Sequence, residues 1–127
     1  MFEPRVALAS LSGESDADWA RAGGDHAGAA FLGGIALDEA TRDAARALVA
    51  RDRTEFLPDD PIAFVERELD ALSNAPIRPG VNVRSATLDP ISEVAAVCAD
   101  RDAIVEINAH CRQDEMCDVG CGESLLS

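Results

Sequence analysis

The chain has no lysine. All 11 of its basic residues are arginine, set against 24 aspartates and glutamates for a formal net charge of −13. Phosphate binding needs a clustered basic surface, so this balance argues against a broad nucleic-acid face on these 127 residues. No apolar run approaches the roughly 20 residues of a membrane span. The opening Met1-Phe2-Glu3-Pro4-Arg5 lacks a basic stretch followed by an apolar one, so no secretory leader is visible and the cytoplasm is the expected compartment. The phosphate-cradling G-x-G-x-x-G pattern is missing, with Gly13 standing alone after the first apolar run. Paired C-x2-C knuckles are missing too. The cysteines are Cys98, Cys111, Cys117 and Cys121, and their C-x5-C-x3-C run fits no common zinc pattern, so no metal site is expected. A disulfide framework is not expected in a cytosolic chain.

What is present begins with the acidic surface. Carboxylates keep a surface hydrated and soluble, but a surface this acidic repels itself at low ionic strength and is screened by salt. Adaptation to a salty cytosol is the simplest account. The alternative is codon bias, with arginine replacing lysine in a GC-rich genome.

Along the chain, short apolar runs alternate with amphipathic stretches. Val6 to Leu11 reads as a buried strand. Ser15 then reads as an N-cap, with Asp16 and Asp18 in the first turn and Gly23-Gly24 closing a short helix. A second strand, Ala27 to Leu32, is ended by Gly33-Gly34. From Asp38 to about Arg51, Ala44, Ala45, Leu48 and Val49 share one helical face, and Arg42, Asp43, Arg46 and Arg51 line the other. Asp60-Pro61 opens a helix with Pro at its first position and a stripe of Ile62, Val65, Leu69 and Leu72. Pro79-Gly80 precedes a third strand, Val81 to Arg84. Asp89-Pro90 opens another helix, with Ile91, Val94, Ala95 and Cys98 facing inward, and Ala103 to Ile107 is the fourth strand. A cysteine-rich loop runs from Ala109 to Cys121, and Gly122 onward reads as the start of a further helix. Cys98 reads as core, and Trp19 as packing on the barrel wall.

Four buried strands alternating with helices predict an α/β fold with a parallel sheet and right-handed crossovers, over residues 1–127 as one unit. An open doubly wound sheet and a (β/α)8 barrel both fit. A whole barrel takes about 250 residues. Four strands in half that length favour the first half of a TIM barrel, β1 to β4.

In either architecture chemistry sits at the carboxyl ends of the strands. The fourth end is the most informative. Asn108 both donates and accepts hydrogen bonds, which suits a flat heterocycle. Cys111 follows in a loop. An unperturbed thiol is mostly protonated at neutral pH and would serve as a general acid. His110 and Arg112 beside it would lower its pKa and favour a nucleophile instead. A small loop hydrophobe is the third reading.

Val105-Glu-Ile-Asn-Ala-His-Cys-Arg112 resembles the I-x-I-N-x-G-C-P signature of tRNA-dihydrouridine synthases, which are flavin-dependent (β/α)8 barrels. Val119 to Leu126 resembles that family's V-x-x-x-G-x-G-A-x-L-L stretch, Leu8 to Trp19 its opening L-A-P-M-x-G-V-T-D-x-x-F, and Val81-Asn-Val its V-Q-L. The order and spacing of these motifs agree over nearly the whole chain. The resemblance implies FMN across the top of the barrel, NAD(P)H as reductant, and reduction of the uridine C5–C6 bond in tRNA. It makes Cys111 the catalytic proton donor. It places Asn108 beside flavin and base, Ala9, Ser10 and Leu11 against the flavin, and Asn82 on the isoalloxazine ring.

There are departures. His110-Cys111-Arg112 stands for Gly-Cys-Pro, Ser10 for a Pro, and Asn82 for a Gln. The family's later Lys and His, its phosphate loops after strands seven and eight, and its helical tRNA-binding domain have no counterpart here. The expectation is therefore a truncated front half that self-associates or pairs with a missing carboxyl-terminal half, and binds FMN poorly alone. Two other outcomes stay open: a flavin reductase of a small pyrimidine, similar to dihydropyrimidine or dihydroorotate dehydrogenases, and an inactive fragment.

Overall fold

Alternation of apolar and polar side chains decides where each strand's faces go. A computed structural model of the chain describes residues 2–109 and 113–126. The elements run β1 (Ala7–Leu8), α1 (Ala17–Ala22), β2 (Ala29–Ala36), α2 (Glu39–Ala50), α3 (Pro61–Ala71), β3 (Arg78–Arg84), α4 (Asp89–Asp100), β4 (Ile104–Ile107) and α5 (Asp114–Asp118), with a 3-10 turn at Glu123–Leu126. The four strands form one all-parallel sheet in the order β1-β2-β3-β4. The α/β class and the parallel sheet are as the sequence predicts.

On β3, Val81 and Val83 face the helices, while Gly80, Asn82 and Arg84 face the other way, as a period of two requires. The main core gathers Ala30, Leu32 and Ile35 of β2, Val81 and Val83 of β3, Val65 and Leu69 of α3, and Ile91, Val94 and Cys98 of α4. Trp19 packs against this core. A second cluster joins Ala44, Ala45 and Leu48 of α2 to Met116, Cys121 and Ala36, the last residue of β2. Cys98 and Cys121 thus lie in separate clusters, and Cys117 is exposed.

Several boundaries differ from expectation, each for a local reason. β1 keeps only two residues, because β2 pairs with it at Ala7 and Leu8 alone. The N-cap of α1 is Asp16, whose carboxylate accepts the Trp19 N–H at 2.9 Å. Ser15 is instead buried and bonds across to Gly33. Gly33-Gly34 does not end β2. The strand absorbs the pair as an irregularity between Gly33 and Ile35 and continues to Ala36. β3 starts at Arg78, with Pro79 and Gly80 inside it. Arg42 is buried, its Nη1 donating to the Pro58 carbonyl at 2.7 Å, because the connection from α2 to α3 passes over it. Val49 and Ala95, expected to face inward, are exposed. The cysteine-rich stretch contains a short helix, α5, which docks on α2.

Candidate functional site at the strand tips

The register draws one row of residues across the sheet. Gly33 of β2 pairs with Asn82 of β3, and Asn82 pairs with Glu106 of β4. Asn82 Nδ2 donates to Glu106 Oε1 at 2.6 Å. Asn82 is 8% exposed, and Glu106 beside it is open to solvent. The next inward position up β3 is Arg84, whose side chain is 2% exposed. Its Nη2 donates to the Gly34 carbonyl at 3.1 Å and pairs with the buried carboxylate of Glu55. Its Nε is buried and has no hydrogen-bond partner among the described residues. Burial pushes the Glu55 carboxyl above its ordinary pKa, against the opposing pull of Arg84 and the Ser12 hydroxyl beside it.

Gly34 makes this crossing possible. A Cβ there would sit 2.6 Å from Asn82 Oδ1 and 3.0 Å from Arg84 Nε, so any side chain would displace both.

The tip of the opening strand is brought in by Ser15. Its Oγ accepts from the Leu11 N–H at 2.8 Å, and lies 2.9 Å from the Leu11 carbonyl and 2.5 Å from the Gly33 carbonyl. Leu11 with Ser12, Glu14, Arg53, Thr54, Glu55 and Gln113 lines a cavity of about 260 Å³ at this end. Ala9 and Ser10 lie just beyond β1, exposed and half-buried respectively. Asn108 follows β4. Its N–H donates to the Val83 carbonyl at 3.0 Å, and its own carbonyl packs on Gly122. Gly122 in turn donates to the Ser85 carbonyl at 2.8 Å. Cys111 lies outside the described residues. A larger cavity of about 560 Å³ sits at the other end, at the amino ends of β3 and β4, among the paired charges Arg78–Asp102 and Arg101–Asp70.

Of the residues singled out from sequence, Leu11, Asn82 and Asn108 are thus at the carboxyl tips of neighbouring strands, with Ala9 and Ser10 leading into them. Sequence reasoning placed Arg84 and Glu106 at the carboxyl ends of the third and fourth strands but gave them no role, and it missed Glu55. Parity ties the first two to the site: each lies on the same sheet face as Asn82, Arg84 by a spacing of two and Glu106 by register. Glu55 lies in no regular element and gave no signal.

Fold and site together define a parallel α/β protein with a polar, largely buried row at its strand tips. No protein-family model matches the chain, and no solved structure matches it. Among curated proteins it is 33% identical over 129 aligned positions to MJ0144, an uncharacterized protein of Methanocaldococcus jannaschii, across 98% of this chain and 49% of that protein. The chain spans about half the length of this relative.

Proposed function

We propose that the chain is the front half of a flavin-binding (β/α)8 barrel that reduces the uridine C5–C6 bond, in the manner of tRNA-dihydrouridine synthases. The observation that carries this reading is the unreversed strand order β1-β2-β3-β4, with Asn82, Arg84, Glu106 and Asn108 toward its carboxyl ends. An open doubly wound sheet reverses its order at a switch point, whereas a barrel adds each strand on the same side.

The residues present fit a flat heterocycle. The buried Arg84 Nε–H is a donor in want of an acceptor, which a ring carbonyl would supply. Asn82 and Asn108 would hold the ring, with Leu11 against it. Bound FMN, reduced by NAD(P)H, would make hydride available for one pyrimidine carbon, and Cys111 would hold the proton for the other. The partner is a tRNA, and the outer edge of β4, which pairs with no strand among the described residues, takes up the second half of the barrel or another copy.

A second reading, reduction of a small free pyrimidine, is favoured by the net charge of −13 and the missing lysines, which suit a polyanion poorly. Flavin absorbance of the purified protein and the dihydrouridine content of tRNA from a deletion strain test both. Flavin with dihydrouridine lost supports the tRNA substrate. Flavin with dihydrouridine unchanged leaves the small pyrimidine, and no flavin binding even when the chain is titrated with excess FMN overturns both in favour of an inactive fragment.

A further inference from the structure

We infer that two copies of this chain close one eight-stranded barrel, the open edge of β4 in each pairing in parallel with the open edge of β1 in the other, so that the second copy completes the ring of strand tips around the site. The inference rests on the barrel reading above and names the partner of that site. Among the described residues neither β1 nor β4 has a strand on its outer side. The Methanocaldococcus jannaschii relative is about twice as long as this chain, and a whole (β/α)8 barrel takes about 250 residues. Two copies make up that length.

The register that such a barrel imposes brings matching residues together at the seam. Its strands are staggered by about eight residues once around the ring, and hence by about four over each half. With right-handed crossovers and right-handed strand tilt, a ladder level followed from β1 to β4 descends toward the amino ends. Ala7, Ala29 and Arg78 share one level, and stepping two residues back from the Gly80–Ile104 pair puts Asp102 on it. The stagger then sets Ala7 of the second copy opposite Glu106, Val6 opposite Val105, and Leu8 opposite Ile107. An even step keeps each face on its own side, whereas a slip of one residue would set Val6 against Glu106. Leu8 and Val105 pack on the helix-side core. By alternation Val6 and Ile107 stand on that same side, 51% and 48% exposed. Each uncovered side chain thus gains an apolar neighbour, Val6 against Val105 and Ile107 against Leu8. On the inner face Glu106 meets only the small Ala7 and keeps its bond to Asn82.

Molecular mass in solution, followed from about 0.1 to about 1 M potassium chloride, tests the closure. Each copy carries a net charge of −13, so association should tighten as salt shortens the reach of the repulsion. The chain should weigh as a dimer at the high-salt end. Ile107→Glu puts a charge into the seam and should weaken the dimer at least about tenfold. Leu88→Glu, at an exposed aliphatic residue away from both edges, should leave it within about twofold. The register is read by oxidation, in chains that carry Cys111→Ser and Cys117→Ser. Chains with Val6→Cys mixed with chains with Val105→Cys should form a disulfide-linked pair, because adjacent strands lie about 4.8 Å apart, within disulfide reach. Val6→Cys mixed with Ile107→Cys should not, since the two lie more than about 7 Å apart. A monomer throughout the salt range, a dimer as tight in Ile107→Glu as in wild type, or a dimer that fails to link Val6→Cys to Val105→Cys overturns the inference. Flavin absorbance with excess FMN is read on the same samples. Flavin held by a monomer removes the closure and leaves the flavin reading, whereas a linked dimer without flavin does the reverse.

Discussion

A buried guanidinium survives only if its charge is met, and among the described residues Arg84 is met by Glu55 alone of the charged groups. Removing one partner strands the other. Glu55→Ala should cost about 3–5 kcal/mol of unfolding free energy, whereas replacing the pair by Glu55→Leu with Arg84→Met should recover most of it. Urea denaturation of both variants checks this, and a single variant within about 0.5 kcal/mol of wild type would show the pair to be solvated. The same residue carries a pH dependence. Burial raises the Glu55 pKa in the folded state, so the fold binds its proton more tightly than the unfolded chain does. Its contribution is then full below the ordinary glutamate range and is lost as pH rises through the raised value. Asp38 acts with the opposite sign. Burial works to raise its pKa but is outweighed by the hydroxyls of Thr41 and Ser85 and by the Ala86 N–H at 3.0 Å, leaving it lowered. Its contribution is present above the ordinary aspartate range and lost as pH falls. Glu55→Gln should therefore remove a decline of stability above the ordinary glutamate range, and Asp38→Asn should flatten the acid limb. Stability-against-pH curves unchanged in both variants would refute the assignment.

At the scale of elements, α2 and α5 stand or fall together. Leu48 has no exposed surface and packs on α5 through Met116. Leu48→Ala should cost about 2–5 kcal/mol and should speed hydrogen exchange in α5 more than in α3, which belongs to the other core. Equal acceleration in both helices would mean that the two clusters form one cooperative unit. The helices were the most legible part of the sequence, because Asp60-Pro61 and Asp89-Pro90 are start signals that act locally, and α3 and α4 begin there. Strand limits were less legible wherever glycine intervened. Gly33-Gly34 reads as a stop, yet parallel pairing on β3 carries β2 through it. The row of site residues was half legible. Asn108 stood out by residue type and Asn82 through the resemblance of Val81-Asn-Val, whereas Glu55 reaches Arg84 only through the tertiary path of the stretch between α2 and α3, which no local pattern encodes.

The whole molecule carries 24 acidic against 11 basic residues, leaving 13 carboxylates without a compensating charge. Most ion pairs are at the surface, among them Arg5–Glu3 and Arg46–Asp43. Pairs of that kind contribute about 0–1 kcal/mol each and fade with salt. Unpaired carboxylates repel one another over a Debye length of about 10 Å at 0.1 M salt and about 3 Å at 1 M. The repulsion involves more charges than the attraction and acts at longer range, so salt removes more destabilisation than stabilisation, while the buried Arg84–Glu55 pair is screened far less. The unfolding midpoint should therefore rise steadily from dilute buffer to molar potassium chloride. It should rise further per unit salt than in a variant with several exposed carboxylates on α2, α3 and α4 changed to glutamine. Arginine kept merely by codon bias carries no such requirement. A midpoint that is flat or falls with salt would show that the acidic surface is a compositional accident rather than an adaptation to a salty interior.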